Sequence, residues 1–191
     1  LSKSVTFCLM HSKEINHALG SSLNKRIVQS INKADFAIAN SNFTKDLSIK
    51  IGIDPSKIHV IFPGINKPKI LPGKFKLEAK NYFKESFPKI ITVARLDKRK
   101  GHDKILMSIK NLKNKFPKIK YVSVGTGEEE NNLVKLSKEL SLEKEVIFLK
   151  NIDHDLKIAL ITEANLFLMP TRIEKKSVEG FGISFVEAAS Y

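Results

Sequence analysis

Residues 90–124 read IITVARLDKRKGHDKILMSIKNLKNKFPKIKYVSV and contain two short apolar runs with a helical pattern between them. The runs Ile90–Ala94 and Tyr121–Val124 are rich in β-branched residues, which is typical of strands buried on both faces. The apolar residues between the runs recur every three or four positions, as on one face of a helix. This stretch therefore predicts a strand, a helix and a second strand in that order.

The same alternation continues toward the C-terminus. Apolar runs at 146–149 and 166–169 follow, and each is preceded by another helical pattern. Strands joined by helical crossovers pair in parallel with right-handed connections. The order predicts an α/β domain with a doubly wound parallel sheet, which binds its ligand beyond the carboxyl ends of the strands. Function is then expected in the loops that follow the strands.

The first part of the chain is a separate block of strand and helix patterns. It ends at a polar stretch without periodicity that is crowded with Pro and Gly from Pro63 to Gly73, which is the composition of a linker. We predict the C-terminal part of an N-terminal Rossmann-like domain at 1–64, a linker at 65–88 and a second Rossmann-like domain at 89–191.

The ends of the chain indicate that both domains are incomplete. The chain begins at Leu1 instead of Met, and it stops at Tyr191 within a helical pattern. We therefore expect a fragment, with the second domain truncated at its C-terminus.

Composition excludes several classes of protein. The 191 residues are 42% hydrophobic, which is enough for a buried core and argues against disorder. No stretch approaches the roughly 18 consecutive apolar residues of a transmembrane helix. The single cysteine, Cys8, excludes an internal disulfide and a cysteine-ligated zinc site. The net charge of +13 is spread along the chain with few aromatic residues, so we expect no nucleic-acid partner.

Two of the predicted loops carry a pattern that admits two interpretations. Arg95 to Gly101 places four cations after a strand, where an anionic ligand would lie, and Arg is suited to phosphate oxygens. A solvated basic loop is the alternative. The next loop, Gly125-Thr126-Gly127, allows close backbone approach to a ligand or forms a turn without one.

An acidic cluster and a glycine-rich motif follow. Asp153-His154-Asp155 resembles a D-x-D metal signature, but acidic residues at a helix start more simply satisfy free backbone N–H groups, and we predict no metal site. Between Glu179 and Glu187, Gly180 and Gly182 free backbone amides for a phosphate. The two carboxylates suit neutral hydroxyls, so the motif indicates a diphosphate flanked by two hydroxylated rings, which describes a nucleotide sugar.

These motifs resemble those of the family 4 retaining glycosyltransferases of the GT-B fold. Glu179 to Glu187 is similar to their E-x7-E motif in its EGFG form. Val93-Ala94-Arg95-Leu96 with Lys100-Gly101 is similar to their arginine and lysine pair for the donor diphosphate, and residues 39–44 and 61–65 resemble the end of their N-terminal domain. The resemblance covers nearly the whole chain and implies two Rossmann-like domains.

The resemblance also implies roles for individual residues. Arg95 and Lys100 would hold the donor diphosphate, Glu179 a hydroxyl of the transferred sugar, and Glu187 the ribose. His11 is similar to an active-site histidine of the family, although Ser12 stands where many members have Gly. The predicted catalytic residues are accordingly His11, Arg95, Lys100 and Glu179. The predicted donor-binding residues are Arg95, Lys100, Gly125, Glu179, Gly180, Phe181, Gly182 and Glu187.

The sequence thus predicts a metal-independent transferase that moves a hexose from a nucleoside diphosphate sugar to an acceptor hydroxyl with retained configuration. The acceptor would be a sugar, a polysaccharide or a lipid-linked glycan, and no cofactor is expected. The alternatives are a GT-B-like nucleotide-sugar epimerase or hydrolase and a non-catalytic, basic nucleotide-binding module. We expect a cytoplasmic protein, with the +13 charge reflecting either attachment to the anionic inner membrane face or a lysine-rich genome.

Overall fold

The computed structural model describes residues 4–12, 14–16, 19–66, 68–174 and 177–191, and contacts divide them into two compact units. The first unit lies within Leu1–Ile65 and Ile173–Ile183, and the second within Asn66–Arg172 and Ser184–Tyr191. The strands are β1 (Phe7–Met10), β2 (Phe36–Ala39), β3 (Ile58–Val60), β4 (Lys89–Val93), β5 (Lys120–Val124), β6 (Val146–Leu149) and β7 (Leu166–Phe167). The α-helices are α1 (Ser22–Lys33), α2 (Asn42–Lys50), α3 (Gly73–Phe83), α4 (His102–Leu112), α5 (Glu130–Glu139), α6 (His154–Glu163) and α7 (Ile183–Ala189), with single 3-10 turns at Pro55–Lys57 and Lys98–Lys100.

The first unit is built on a parallel sheet in the order β1-β2-β3. Met10, Ala37 and Ala39 are buried on one face with apolar residues of the helices. Helix α1 begins after Ser21 and helix α2 after Ser41, and each serine side chain accepts a hydrogen bond from a backbone N–H of the first turn. These caps satisfy donors that a helix start would otherwise leave free.

The second unit contains a parallel sheet in the order β6-β5-β4-β7, with β4 and β5 inside it. Ile91 and Val122 join one hydrophobic cluster with residues of α3 and α6, whereas Ile90 and Tyr121 join another with residues of α4 and α5. Alternate residues of each inner strand are therefore buried on opposite faces, as the apolar runs predicted. The α/β class and the parallel, doubly wound arrangement are confirmed.

The interval predicted as a linker contains helix α3, and this part of the prediction is wrong. Ala79 and Phe83 are fully buried in the same cluster as Leu156 and Leu160 of α6. Lysines and other polar residues surround these apolar positions in the sequence, so the narrow buried face of the helix was missed. The segment is an integral layer of the second unit.

Candidate active site

The loop after β4 presents a charged side chain from a fixed backbone. Ala94 N–H donates to the Val124 carbonyl and Leu96 N–H to the Thr126 carbonyl, at 3.1 and 2.9 Å. The Arg95 side chain between them is 70% exposed, and its Nη2 lies 3.1 Å from Asp97 Oδ2. The guanidinium is thus available to a ligand at the carboxyl end of an inner strand.

Lys100 lies at the end of the 3-10 turn that continues this loop. Asp97 caps the turn by accepting a hydrogen bond from the Lys100 N–H at 3.2 Å. Unlike Arg95, Lys100 is only 8% exposed. Gly101 follows with a φ of 75°, and a Cβ there would overlap the Pro170 carbonyl oxygen, so only glycine fits. The structure therefore places both predicted diphosphate residues on one short loop, one side chain exposed and one buried.

A buried polar group below this loop was not predicted from the sequence. His102 is 1% exposed, and its Nε2 lies 3.2 Å from the Arg95 carbonyl oxygen. Its Nδ1 lies 3.0 Å from Tyr121 Oη. Burial lowers the pKa of His102 and raises the pKa of Tyr121 to about 12. The only sequence signal was a histidine directly after Gly101 in a helix whose other inward residues are apolar.

The glycines after β5 are required by packing within the fold. A Cβ on Gly125, whose φ is 150°, would overlap the Ala94 carbonyl oxygen. A Cβ on Gly127 would overlap the backbone of Leu96. The space that these glycines leave is occupied by the loop after β4. A role for Gly125 in donor binding stays a prediction, but its glycine identity has a sufficient structural cause.

The glycine-rich EGFG loop lies in the first unit. The Gly180 carbonyl accepts a hydrogen bond from Ser41 Oγ. A Cβ on Gly180 would overlap Ser12 Oγ and crowd the His11 carbonyl oxygen. Phe181 packs against Phe62 with ring centroids 6.1 Å apart. The contacts therefore bring Gly180 and Phe181 beside residues about 120–170 positions earlier, including the predicted site residue His11.

The turn after β1 holds His11 with its side chain exposed. Its backbone N–H donates to the Glu14 carboxylate, and its Nδ1 lies 4.0 Å from Glu14 Oε1. Ser12 is buried and has a φ of 89°, a region that favours glycine. A hydrogen bond of 2.6 Å joins Ser12 Oγ to Thr44 Oγ1. Serine thus adopts a backbone conformation that favours glycine, at a position where the family resemblance predicts glycine.

The remaining predicted site residues divide between the two units. Glu179 precedes Gly180 in the first unit. Gly182, with a φ of 76°, leads into helix α7. Glu187 lies on α7 in the second unit, and its Oε1 is 2.6 Å from Lys157 Nζ of α6. Glu187, which is predicted to bind the ribose, is therefore already paired with a lysine of its own unit.

The Asp153-His154-Asp155 cluster forms a helix cap. Asp153 Oδ1 accepts a hydrogen bond of 2.7 Å from Asp155 N–H at the start of α6, and Asp155 pairs with Lys69 at 2.6 Å. In the part of the chain that the structure describes, no three His, Cys, Asp or Glu side chains are grouped so that they could hold a metal ion. The helix-capping interpretation is confirmed.

Comparison with known proteins identifies the fold class and the family. The structure matches a crystal structure of Anabaena Alr3699/HepE in complex with UDP and glucose, with a TM-score of 0.76 at 22% identity over 96% of this chain and 50% of that one. The fold is GT-B. A family model described as "Glycosyl transferases group 1" matches residues 73–191, and one described as "Glycosyltransferase Family 4" matches residues 6–67. The chain belongs to the group 1 glycosyl transferases.

Two relatives give the range of similarity. A GDP-mannose-dependent alpha-(1-6)-phosphatidylinositol monomannoside mannosyltransferase of Mycolicibacterium smegmatis is 25% identical over 83% of this chain and 43% of its own length. The O-antigen biosynthesis glycosyltransferase WclY of Escherichia coli is 30% identical over 70% of this chain and 35% of its own length. The chain thus spans less than half of either relative.

Proposed function

We propose that this chain forms the donor-binding region of a retaining glycosyltransferase that moves a hexose from a nucleoside diphosphate sugar to an acceptor hydroxyl. The observation that carries the proposal is the exposed Arg95 guanidinium on the loop after β4. A doubly wound sheet binds its ligand at this end, and a guanidinium fork fits diphosphate oxygens. The similarity to a structure that holds UDP and glucose supports the same ligand class.

The residues would contribute by electrostatics and orientation. Arg95 and Lys100 neutralise the charge that develops on the departing diphosphate, a preorganised interaction worth a few kcal/mol in comparable sites. In this proposal Glu179 orients the transferred sugar, Glu187 binds the ribose, and His11 serves as the active-site histidine that the family resemblance implies. The proposal requires no metal ion, because the two cations take the role that a metal would have at the diphosphate.

The acceptor is proposed to be a sugar, a polysaccharide or a lipid-linked glycan. The names of two relatives support this class, since one acts on a phosphatidylinositol mannoside and the other serves O-antigen biosynthesis. None of the helices in the described ranges is long and apolar enough to cross a membrane. A separate proposal, carried by the net charge of +13, is that the protein is cytoplasmic and attaches to the inner membrane face; a lysine-rich composition without membrane affinity is the alternative.

Exposed cations on α1 support attachment to that face. Lys25, Arg26 and Lys33 are all exposed on this helix, and Lys13, a further basic residue that precedes it in the sequence, lies outside the described residues. Each basic residue near an anionic surface contributes about 1 kcal/mol. Vesicle co-sedimentation of the full-length protein tests the attachment. Binding to anionic vesicles that falls as salt rises is expected, and equal recovery on neutral vesicles would exclude it.

A product assay tests the transferase proposal. Full-length protein supplied with UDP-hexose or GDP-hexose and lipid-linked acceptor should release a glycoside with the donor's anomeric configuration. Free sugar or an epimerised nucleotide sugar would instead indicate the hydrolase or epimerase. Binding without turnover would indicate a non-catalytic nucleotide-binding module.

Two variants separate the roles of the glutamates. Glu179→Gln keeps the shape of the side chain but removes its charge, so turnover should fall by orders of magnitude while affinity for the bare nucleoside diphosphate barely changes. Glu187→Ala should weaken the binding of the bare nucleoside diphosphate. If both variants respond alike, the division of roles is wrong.

A further inference from the structure

A set of buried polar side chains lies on strands β4 and β5 and at the start of helix α4, beneath the loop that carries Arg95. Thr92, His102, Tyr121 and Ser123 are each at most 1% exposed. Thr92 and Ser123 are partners in the register of β4 and β5. Buried polar groups of this kind are retained in a core only when their hydrogen bonds are satisfied. None of the four was among the predicted donor residues.

The partners of the His102 ring determine its tautomer. Nε2 lies 3.2 Å from the Arg95 carbonyl oxygen, which can only accept, so Nε2 carries the hydrogen. Nδ1 lies 3.0 Å from Tyr121 Oη and 3.2 Å from Ser123 Oγ, and both hydroxyls are able to donate. The neutral ring with hydrogen on Nε2 satisfies both nitrogens.

The remaining bonds assign the donor at each position. Tyr121 Oη donates to Thr92 Oγ1 at 2.9 Å, and Thr92 Oγ1 donates to the Leu168 carbonyl after β7. The single Tyr121 hydrogen is then used, so Ser123 supplies the hydrogen for Nδ1. Two runs of hydrogen bonds therefore meet where the His102 ring contacts Tyr121 Oη. One runs from Ser123 through His102 to the Arg95 carbonyl, and the other runs from Tyr121 through Thr92 to the Leu168 carbonyl.

Burial favours the neutral form of the His102 ring and outweighs the charges around it. Burial lowers its pKa, and Lys100 lowers it further, against the raising effects of the Arg95 carbonyl, Asp97 and Asp103. Three further charged groups, Lys98, Glu129 and Arg172, line the same small cavity of about 90 Å³ beside the ring. At neutral pH the ring thus offers a single N–H, directed at the Arg95 backbone.

We propose that His102 is a positioning residue for donor binding. Its Nε2–H donates a hydrogen bond to the Arg95 carbonyl and thereby fixes the backbone from which the exposed Arg95 side chain extends. The inference rests on the proposed function, in which Arg95 binds the donor diphosphate. A backbone that is held before the ligand arrives leaves less freedom to be lost on binding. His102 does not touch the ligand, because it lies beneath the loop and is buried.

A matched pair of variants tests which ring nitrogen matters. The amide nitrogen of His102→Gln reaches the place of Nε2, whereas that of His102→Asn reaches the place of Nδ1. Calorimetry with UDP and GDP on the full-length protein should show that the Gln variant keeps most of the affinity. The Asn variant should lose roughly threefold to tenfold, the usual effect of one neutral hydrogen bond. Equal affinities of the two variants would overturn the positioning role.

A double-mutant cycle separates positioning from general damage to the fold. In an Arg95→Ala background, His102→Asn should cause no further loss of affinity, because its effect acts through Arg95. Additive losses would contradict the inference. Thr92→Val is the control, since it breaks the adjoining hydrogen bonds from Tyr121 and to the Leu168 carbonyl without touching Arg95. It should lower the melting temperature and leave nucleotide affinity unchanged, and a loss equal to that of His102→Asn would overturn the proposal.

The tautomer can be measured without any ligand. Nitrogen chemical shifts of the His102 ring in the free protein at pH 7 should report a neutral ring with hydrogen on Nε2, and hydrogen on Nδ1 or a cationic ring would refute the inference. Failure of the proposed function has a different signature, namely a wild-type protein that binds neither UDP nor GDP, or an Arg95→Ala variant with unchanged affinity.

Discussion

The loops after β4 and β5 are neighbours in the second unit, and both were predicted to contact the donor, but they differ in what they expose. The first presents Arg95, 70% exposed, on a backbone that hydrogen bonds hold at several points. The second presents glycines whose open space is occupied by Ala94 and Leu96 of the first. A charge that the fold leaves exposed is better evidence of a ligand than a glycine whose close contact lies inside the protein.

Replacement of Gly125 should give the largest effect on stability. Gly125→Ala combines a φ of 150° with overlap of the new Cβ and the Ala94 carbonyl, so we expect a loss of about 3 kcal/mol or more in the free energy of unfolding. Gly64→Ala is the control, because a Cβ there would meet nothing within 4 Å and its φ lies outside the left-handed region. Denaturant titration measures both. A stable Gly125→Ala variant with weakened nucleotide binding would contradict this interpretation and would indicate that Gly125 contacts the nucleotide.

Replacement of Arg95 should act on binding and not on stability. Arg95→Ala removes a charge-assisted bond worth roughly 1.5–3 kcal/mol in affinity for a nucleoside diphosphate, and Arg95→Lys should restore it only in part. The melting temperature should barely change because the side chain is exposed. Lys98→Ala removes an exposed cation of the same loop and serves as the control. Calorimetry that finds equal losses for Arg95→Ala and Lys98→Ala would mean that only net charge matters.

The Glu187 ion pair tests whether one residue serves both structure and ligand. Lys157→Met and Glu187→Gln should each lower the free energy of unfolding by about 1 kcal/mol or less, because the pair is only partly buried. Only Glu187→Gln should also weaken nucleotide binding. Thermal melts and calorimetry on the two variants separate the effects. Unchanged affinity in both would leave Glu187 with a structural role alone.

The pH dependence of stability should be the smallest effect. Burial lowers the pKa of His102 below its usual value near 6.5, so the unfolded chain binds this proton more readily than the folded one. His102 therefore contributes stability that is present above pH 6.5 and is lost as pH falls toward its folded pKa. Across this pH range, the melting temperature of His102→Gln should change less with pH than that of the wild type. An identical slope would show that His102 is not the titrating group.

The sequence predicted the sheet of the second unit better than its helices. Strands β4 and β5 are buried on both faces, so their apolar runs are continuous and easily identified. Helix α3 buries Ala79 and Phe83 on a narrow face among polar residues, so its sequence shows no clear helical pattern. The Pro and Gly residues before it were then the feature on which the linker prediction rested. Local composition indicated a linker where long-range packing on α6 forms a helix.

The chemical types in the candidate site were determined by the sequence, because the order of strands and motifs alone brings Arg95, Lys100 and the glycine loops to strand ends. Tertiary structure decided how exposed each of these side chains is and which partners it has. It buried Lys100, exposed Arg95, paired Glu187 with Lys157 and placed His102 under the Arg95 carbonyl. The pairing of Glu187 with Lys157 and the burial of His102 against Tyr121 and Ser123 depend on contacts between residues 19 to 30 positions apart in the chain, and a local pattern carries no information about such contacts.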